Sequence, residues 1–271
     1  MIFLTSLVFG ASLPAELQPV VSKALGKDIP EKYICASSSE LGSSKTVLVA
    51  VGIKVKGVGC SLKGVVYEGN WVSPEQGLVA ILPTYSSLPR AEQEAVSKSY
   101  VRDILLAFQQ PYGPSEISSS GKSSVVSTPV TYRIPKGFHS VDATSVVQFN
   151  AQGNVTSNTH TDPSEYRSRL VLRVHQVKGM SQDQVEAALK GKGKLTQTCF
   201  YKAWMKDLRT TASTRLAWDI KKGTPPIIKV IRTTAEKPLM QCYSNALGKV
   251  DFPSDGHVEL TFGIQRLKQA N

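Results

Sequence analysis

The segment 195–265 constrains the fold more than any other part of the chain, because residue spacing and helix-breaking residues agree there. Residues 237–248 predict a helix, since Pro238 suits a first turn whose N–H groups are unpaired and Gly248 suits a helix end. The apolar residues recur at helical spacing and form one face, made of Leu239, Cys242, Tyr243, Ala246 and Leu247. We expect that face to be buried.

Three strands are predicted around this helix. Residues 214–220 and 227–232 flank a turn with one glycine and two prolines, which predicts a β-hairpin. Residues 258–264 alternate between apolar and polar side chains, which predicts a strand with one solvated face. The apolar members of that strand are Val258, Leu260, Phe262 and Ile264.

A second helix is predicted before the hairpin, with Thr196 or Thr198 as its capping residue and with Cys199 and Trp204 on its apolar side. The order is therefore helix, strand, strand, helix, strand. That order predicts a small antiparallel sheet with both helices on one face.

This segment resembles the TonB C-terminal domain family, and within it the AgmX/PglI branch. The resemblance covers 195–271 and is carried by Cys199 with the following aromatic residue, Ala203, the hairpin around Gly223, Leu239, Cys242-Tyr243, Leu247 and Phe252-Pro253. The hairpin turn departs from the family's acidic, Gly-rich turn, because Lys221 and Lys222 precede the glycine. The resemblance implies an envelope protein module that binds partners and is not a catalyst.

Four cysteines, Cys35, Cys60, Cys199 and Cys242, form an even set without a Cys-x-x-Cys pair, which argues against a zinc site. Disulfides Cys35–Cys60 and Cys199–Cys242 would each join residues within one predicted domain. Each would stabilise the fold by about 2–4 kcal/mol. The alternative is four buried thiols in a cytosolic protein.

Residues 1–12 are an apolar stretch followed by small residues, which is typical of the end of a signal peptide, although no Lys or Arg precedes it. We expect this stretch to be removed on export, which places the mature protein in the periplasm or outside the cell. The other apolar runs are shorter than the roughly 20 residues that a transmembrane helix needs. We therefore expect no membrane-spanning segment.

The fold class expected for the whole chain is α+β. Residues 13–110 predict an N-terminal domain of helices and a β-hairpin, in which the continuous apolar run 46–55 indicates a strand covered on both faces. Residues 111–124 are rich in Pro, Gly and Ser and predict a flexible linker. Residues 125–190 predict a middle region of antiparallel β-strands, and the TonB-like domain follows at 195–271.

The charge of the chain is uneven. Of the net charge of +11, residues 160–271 carry +9, because they hold 19 Lys and Arg against 10 Asp and Glu. The alternative function is therefore nucleic-acid binding by a cytosolic protein. It would use the basic face of residues 167–178 and the Lys- and Gly-rich segment Lys190–Lys194. That face lacks interleaved aromatic residues that would stack on bases, so we expect nucleic acid to be a poor partner.

Catalytic chemistry has little support in the sequence. His160 and Asp162 are two residues apart between threonines, which suggests a metal or acid/base pair, but a polar surface loop explains them as well. No nucleophile elbow, HExxH motif, Walker loop or dinucleotide fingerprint occurs. We expect no catalytic residues, no cofactor, no metal and no small-molecule substrate.

The function predicted from these features is that of a non-enzymatic bacterial envelope protein whose C-terminal domain binds a protein partner or takes part in envelope assembly. We expect binding by strand addition to an exposed edge strand formed by Val258, Leu260, Phe262 and Ile264, because main-chain hydrogen bonds supply affinity there. In the family, force transduction is accompanied by a membrane anchor and a proline-rich spacer. Neither is evident in this sequence, so we expect a docking or assembly role.

Overall fold

The computed structural model describes residues 13–26, 29–41, 46–120, 123–190 and 193–270. These residues form a mixed α+β protein with antiparallel sheets, which confirms the predicted fold class. The chain divides into two compact units, Met1–Glu165 and Tyr166–Asn271. The predicted signal peptide, 1–12, lies outside the described residues.

The first unit contains a four-stranded antiparallel sheet. Its elements are helix α1 (Gln18–Leu25) and strands β1 (Ile34–Leu41), β2 (Thr46–Val55), β3 (Gly59–Tyr67) and β4 (Asn70–Val72), with the strands paired in that order. Strand β2 is covered on both faces, as its apolar run predicts. Val49 and Val51 belong to a core cluster with Val21 of α1, whereas Leu48 and Ala50 belong to a second cluster.

Apart from short 3-10 helices, the other elements described in the first unit are a longer helix and a group of strands. They are α2 (Arg90–Ser99), its π-helical continuation Tyr100–Leu105, and strands β5 (Gln110–Pro111), β6 (Glu116–Ser120), β7 (Ser123–Arg133), β8 (His139–Phe149) and the start of β9 (Val155–Lys178). Strand β7 pairs in antiparallel fashion with β5, β6 and β8. The helix contributes Tyr100 and Ile104 to the second core cluster, which also holds Val126 of β7.

The segment 111–124 differs from the flexible linker that its composition predicts. Residues Glu116–Ser120 form a strand whose backbone pairs with β7. Ile117 is half-buried and packs against the core of this unit. Strand pairing supplies the hydrogen bonds and burial that serine and glycine do not indicate by themselves, so composition alone was misleading here.

The second unit has the predicted order of elements, preceded by one additional strand and one additional helix. Its elements are α3 (Gln182–Lys190), α4 (Gly193–Lys206), β10 (Ala212–Ile220), β11 (Ile227–Thr233), α5 (Lys237–Leu247) and β12 (Gly256–Lys268). The additional strand is the second half of β9, whose residues 166–178 pair with β12. The strand order within this unit is β11-β10-β12-β9, and every neighbouring pair is antiparallel.

None of the helices in the described part of the chain combines the length and the apolar character needed to cross a bilayer.

Candidate functional site at the edge of the C-terminal sheet

The two helices of the second unit are joined by a disulfide. Cys199 of α4 is bonded to Cys242 of α5, with 5.7 Å between their Cα atoms. Helix α5 packs on the sheet, because the Tyr243 ring stacks on Phe262 of β12 at 5.8 Å between centroids. Thr196 and Thr198 do not cap α4. They lie within it and donate their hydroxyls to the carbonyls of Gly193 and Lys194 in the preceding turn.

The predicted edge strand is not at an edge. Strand β12 pairs with β10 along one side and with β9 along the other, so its backbone groups are used within the sheet. Its apolar residues face the core and are at most 3% exposed: Val258, Leu260, Phe262 and Ile264. The prediction that these four residues form a partner-binding edge is wrong, because the second half of β9 occupies the position that a partner strand would need.

The edge of this sheet is β11. It lies at the end of the strand order, and within the described residues it pairs with β10 alone. Eleven large apolar side chains are exposed among the described residues, and three of them are on this seven-residue strand. Ile227 is 62% exposed, Val230 48% and Ile231 51%. An edge strand with apolar side chains in water favours pairing with another chain.

The register of β10 and β11 shows which backbone groups of β11 are available. Thr234 donates its N–H to the carbonyl of Ser213 at 2.9 Å, which marks Ser213 as a residue hydrogen-bonded to the β11 side. Because antiparallel ladders alternate, the next residues of β10 bonded to that side are Arg215, Ala217 and Asp219. Val230 and Ile228 lie opposite the intervening residues, Leu216 and Trp218. Their N–H and C=O groups therefore point away from the sheet.

Several features of β11 oppose pairing with a second copy of itself. The register shifts between Arg215 and Leu216, so Ile231 is the extra residue of a β-bulge. Lys229 and Arg232 place two cations on the strand, and a symmetric pair of strands would bring four together. Pro225 and Pro226 precede it. The edge is thus better suited to a different, non-basic partner than to self-association.

A charged network fixes the strands beside this edge. His257 donates from Nδ1 to the Asp219 carboxylate at 2.8 Å, and Lys229 Nζ lies 3.4 Å from the same carboxylate. Arg215 donates to Glu259 at 2.8 Å. The hydrogen bond with His257 and then that with Lys229 lower the pKa of Asp219, and the bond from Arg215 lowers the pKa of Glu259. Both acids are therefore held ionised, and Lys229 ties β11 to β10.

A groove of about 540 Å³ opens where β11 ends. It is lined by the loop after α4, by Thr234 and Ala235 directly after β11, and by residues of both helices, including Cys199 and Cys242. Thr234 and Ala235 place the groove next to the C-terminal end of β11.

The disulfides agree with the pairings predicted for the four cysteines. Cys35 of β1 is bonded to Cys60 of β3, with 6.3 Å between Cα atoms, and the Cys199–Cys242 bond joins α4 to α5. Two disulfides are compatible with a periplasmic or secreted protein, because such bonds persist in oxidising compartments.

His160 and Asp162 lie on strand β9 and not in the surface loop that we considered. His160 hydrogen-bonds through Nε2 to Gln109 Oε1 at 3.1 Å, and its ring lies 5.1 Å from that of Tyr132. Burial lowers the pKa of His160. Across the described ranges no three His, Cys, Asp or Glu side chains are grouped so as to hold a metal ion.

Sequence reasoning missed Ile227, Val230 and Ile231 as candidate binding residues. The sequence did contain a signal of an edge strand. Two prolines precede an apolar run that breaks strict alternation, which is typical of a strand without a neighbour along one edge. What the sequence did not show was that β9 would cover the other side of β12.

Comparison of the chain with protein-family models, with curated proteins and with solved structures finds no match. Its function is therefore argued from the geometry of the edge strand.

Proposed function

We propose that this protein is a non-enzymatic envelope component, resembling TonB C-terminal domains in its second unit, that binds a partner protein by adding a strand to β11. The observation that carries the proposal is an edge strand with outward backbone groups at Ile228 and Val230 beside exposed apolar side chains. This combination is the one that strand addition requires.

The energetics favour a selective but modest interaction. Two outward residues offer four backbone hydrogen bonds, each of which contributes about 0.5–1.5 kcal/mol after exchange with water. A partner strand would also cover Val230, and complete burial of such a side chain contributes about 1.5–3 kcal/mol. The groove at the end of β11 provides a further contact for the partner's continuing chain.

The two disulfides support a location in the periplasm or outside the cell, and so a partner from the envelope. The same observation counts against the cytosolic nucleic-acid-binding alternative, because reducing compartments keep thiols free. We therefore prefer a protein partner.

The proposal is tested by substitutions at Val230. Val230→Pro removes one outward N–H without removing a bond to β10, so the variant should fold while retention of the partner falls about three- to tenfold. Val230→Thr is the matched control, since it keeps the N–H and a β-branched shape, and should retain the partner within about threefold. The measurement is quantitative mass spectrometry of envelope proteins held by the immobilised full chain and by each variant.

A folded Val230→Pro variant that retains the same proteins as the unmodified chain would overturn strand addition. Hydrogen exchange on the isolated complex provides a second test. The amides of Ile228 and Val230 should become protected on binding, whereas protection elsewhere with these two unchanged would place the partner on another surface.

A further inference from the structure

The open face of the C-terminal sheet is strongly basic. This face is opposite to the one that carries Leu216, Leu260 and Phe262 against the helices. Its cations include Arg167, Arg169 and Arg173 on β9, Arg215 on β10, and Lys229 and Arg232 on β11. Two carboxylates share the face, Asp219 and Glu259.

Both carboxylates are already engaged, whereas most of the arginines are not. Asp219 is held by His257 and Lys229, and Glu259 by Arg215. In the described residues Arg167, Arg173 and Arg232 have no carboxylate partner, and Arg169 donates only to the neutral amide oxygen of Gln265, at 3.1 Å from Nη2. Four guanidinium groups are thus available to an external anion.

The space between these cations is lined by small side chains. The middle of the face is formed by Ser213, Ala217, Thr261 and Gly263. Thr261 of β12 is paired with Arg215 of β10 on one side and with Arg173 of β9 on the other. The Cα atoms of the two arginines are therefore two strand spacings, about 10 Å, apart. Arg167 and Arg169 are two residues apart on one strand, which separates them by about 7 Å. An extended peptide can therefore lie over these small side chains with cations on both sides.

We propose that this face binds an acidic segment of a partner protein. Carboxylates at alternate positions of an extended chain repeat at about 7 Å, which is the spacing of Arg167 and Arg169. Guanidinium groups bind carboxylates through paired hydrogen bonds, so unpaired arginines favour such a ligand. The proposal goes beyond strand addition, because the segment lies across the sheet face and uses side chains instead of the β11 backbone.

A protein segment fits this face better than a nucleic acid does. Single-stranded nucleic acids need aromatic side chains on which bases stack. Among the described residues of the second unit, the aromatic residue that is exposed is Tyr201, which lies on α4 and not on the sheet. The two disulfides also indicate a compartment in which nucleic acid is a rare ligand.

The experiment compares three probes on the full chain: a fluorescent peptide of alternating glutamate and threonine, a single-stranded oligonucleotide of equal charge, and vesicles containing phosphatidylglycerol. The face variant carries Arg167→Glu, Arg169→Glu and Arg173→Glu. The matched control carries Lys194→Glu, Lys237→Glu and Lys249→Glu, three exposed lysines outside the face with the same change in net charge. Circular dichroism and the absence of free thiols establish that both variants are folded.

The unmodified chain should bind the peptide more tightly than the oligonucleotide or the vesicles. The face variant should bind the peptide at least about tenfold more weakly, and the control within about threefold of the unmodified chain. Tighter binding to the oligonucleotide or vesicles overturns the proposal, as does equal weakening in both variants, which would indicate bulk charge alone. Because Val230→Pro leaves these arginines in place, it should bind the peptide normally, so failure of strand addition and failure of this proposal are distinguishable.

Discussion

Strands β11 and β12 belong to the same sheet and both carry several large apolar residues, but they differ in what surrounds them. Strand β12 has a strand on either side and the helix pair over its apolar face, and Leu260 is fully buried. Strand β11 has one neighbour, and Val230 is 48% exposed. An apolar residue therefore stabilises the fold in β12, whereas in β11 it is available to a partner.

The difference in surroundings also explains how apolar and polar residues are arranged in each strand. Strict alternation in β12 separates a buried face from one that carries His257, Glu259 and Thr261. Strand β11 instead has apolar residues on both faces, interrupted by Lys229 and Arg232. Alternation thus identifies a half-buried strand but does not tell whether the strand lies at an edge.

The largest effect that this comparison predicts is on stability. Leu260→Ala should lower the free energy of unfolding by about 2–5 kcal/mol, because it leaves a cavity between the sheet and the helices. Val230→Ala, a truncation of similar kind at the edge, should change it by less than about 0.5 kcal/mol. Urea denaturation of both variants measures the two values. Equal losses would mean that β11 is as much a part of the core as β12.

How far the sequence predicts this unit can be judged from the same two strands. Residue spacing predicts the helices and β12, and turn residues predict the hairpin. The even number of cysteines, taken with the predicted domains, suggests the pairing of Cys199 with Cys242. The position of β12 in the middle of the sheet depends on residues 166–178, which are distant in sequence. Pairing between distant strands leaves little mark in either strand, so local patterns identified the elements but assigned the edge to the wrong one.

The next effect concerns the disulfide that joins the helices. Replacing both Cys199 and Cys242 by alanine should lower the unfolding free energy by about 2–4 kcal/mol. Since α5 covers β12 through the contact of Tyr243 with Phe262, the amides of β12 should exchange faster with solvent in this variant. The outward amides of β11 should exchange rapidly in both proteins. Replacing Cys35 and Cys60 is the control, and it should leave exchange in β12 unchanged.

The candidate site illustrates a second limit of the sequence. The basic residues of 167–178 are visible as a run, and their alternation places them on one face. The sequence does not show that these basic residues lack acidic partners. The acids of the same face, Asp219 and Glu259, come from other strands and are paired with Arg215, Lys229 and His257. Only the register shows which cations remain available, so charge counting alone could indicate a basic surface but not its ligands.

The smallest predicted effect is on the attachment of β11 at acid pH. The folded-state pKa of Asp219 is lowered by its hydrogen bonds with His257 and Lys229, and that of Glu259 by Arg215, relative to ordinary values of 3.8 and 4.5. Carboxylates with lowered pKa contribute stability that is fully present above the ordinary values and is lost as the pH falls through the lowered ones. Because the Lys229 pair links β11 to β10, whereas β12 is held by a strand on either side, signals of β11 should change before those of the β12 residues other than His257 and Glu259 during an acid titration followed by NMR.

Asp219→Asn supplies the control for that titration, since it removes the carboxylate that Lys229 contacts. The variant should show a smaller acid-dependent change in β11 than the unmodified protein, because the titrating contact between Lys229 and β10 is gone. Simultaneous change of β11 and β12 in both proteins would mean that the charged network does not hold the edge strand. In that case β11 would be attached by its backbone ladder and by the Thr214–Thr233 hydroxyl contact at 2.8 Å, neither of which titrates in this range.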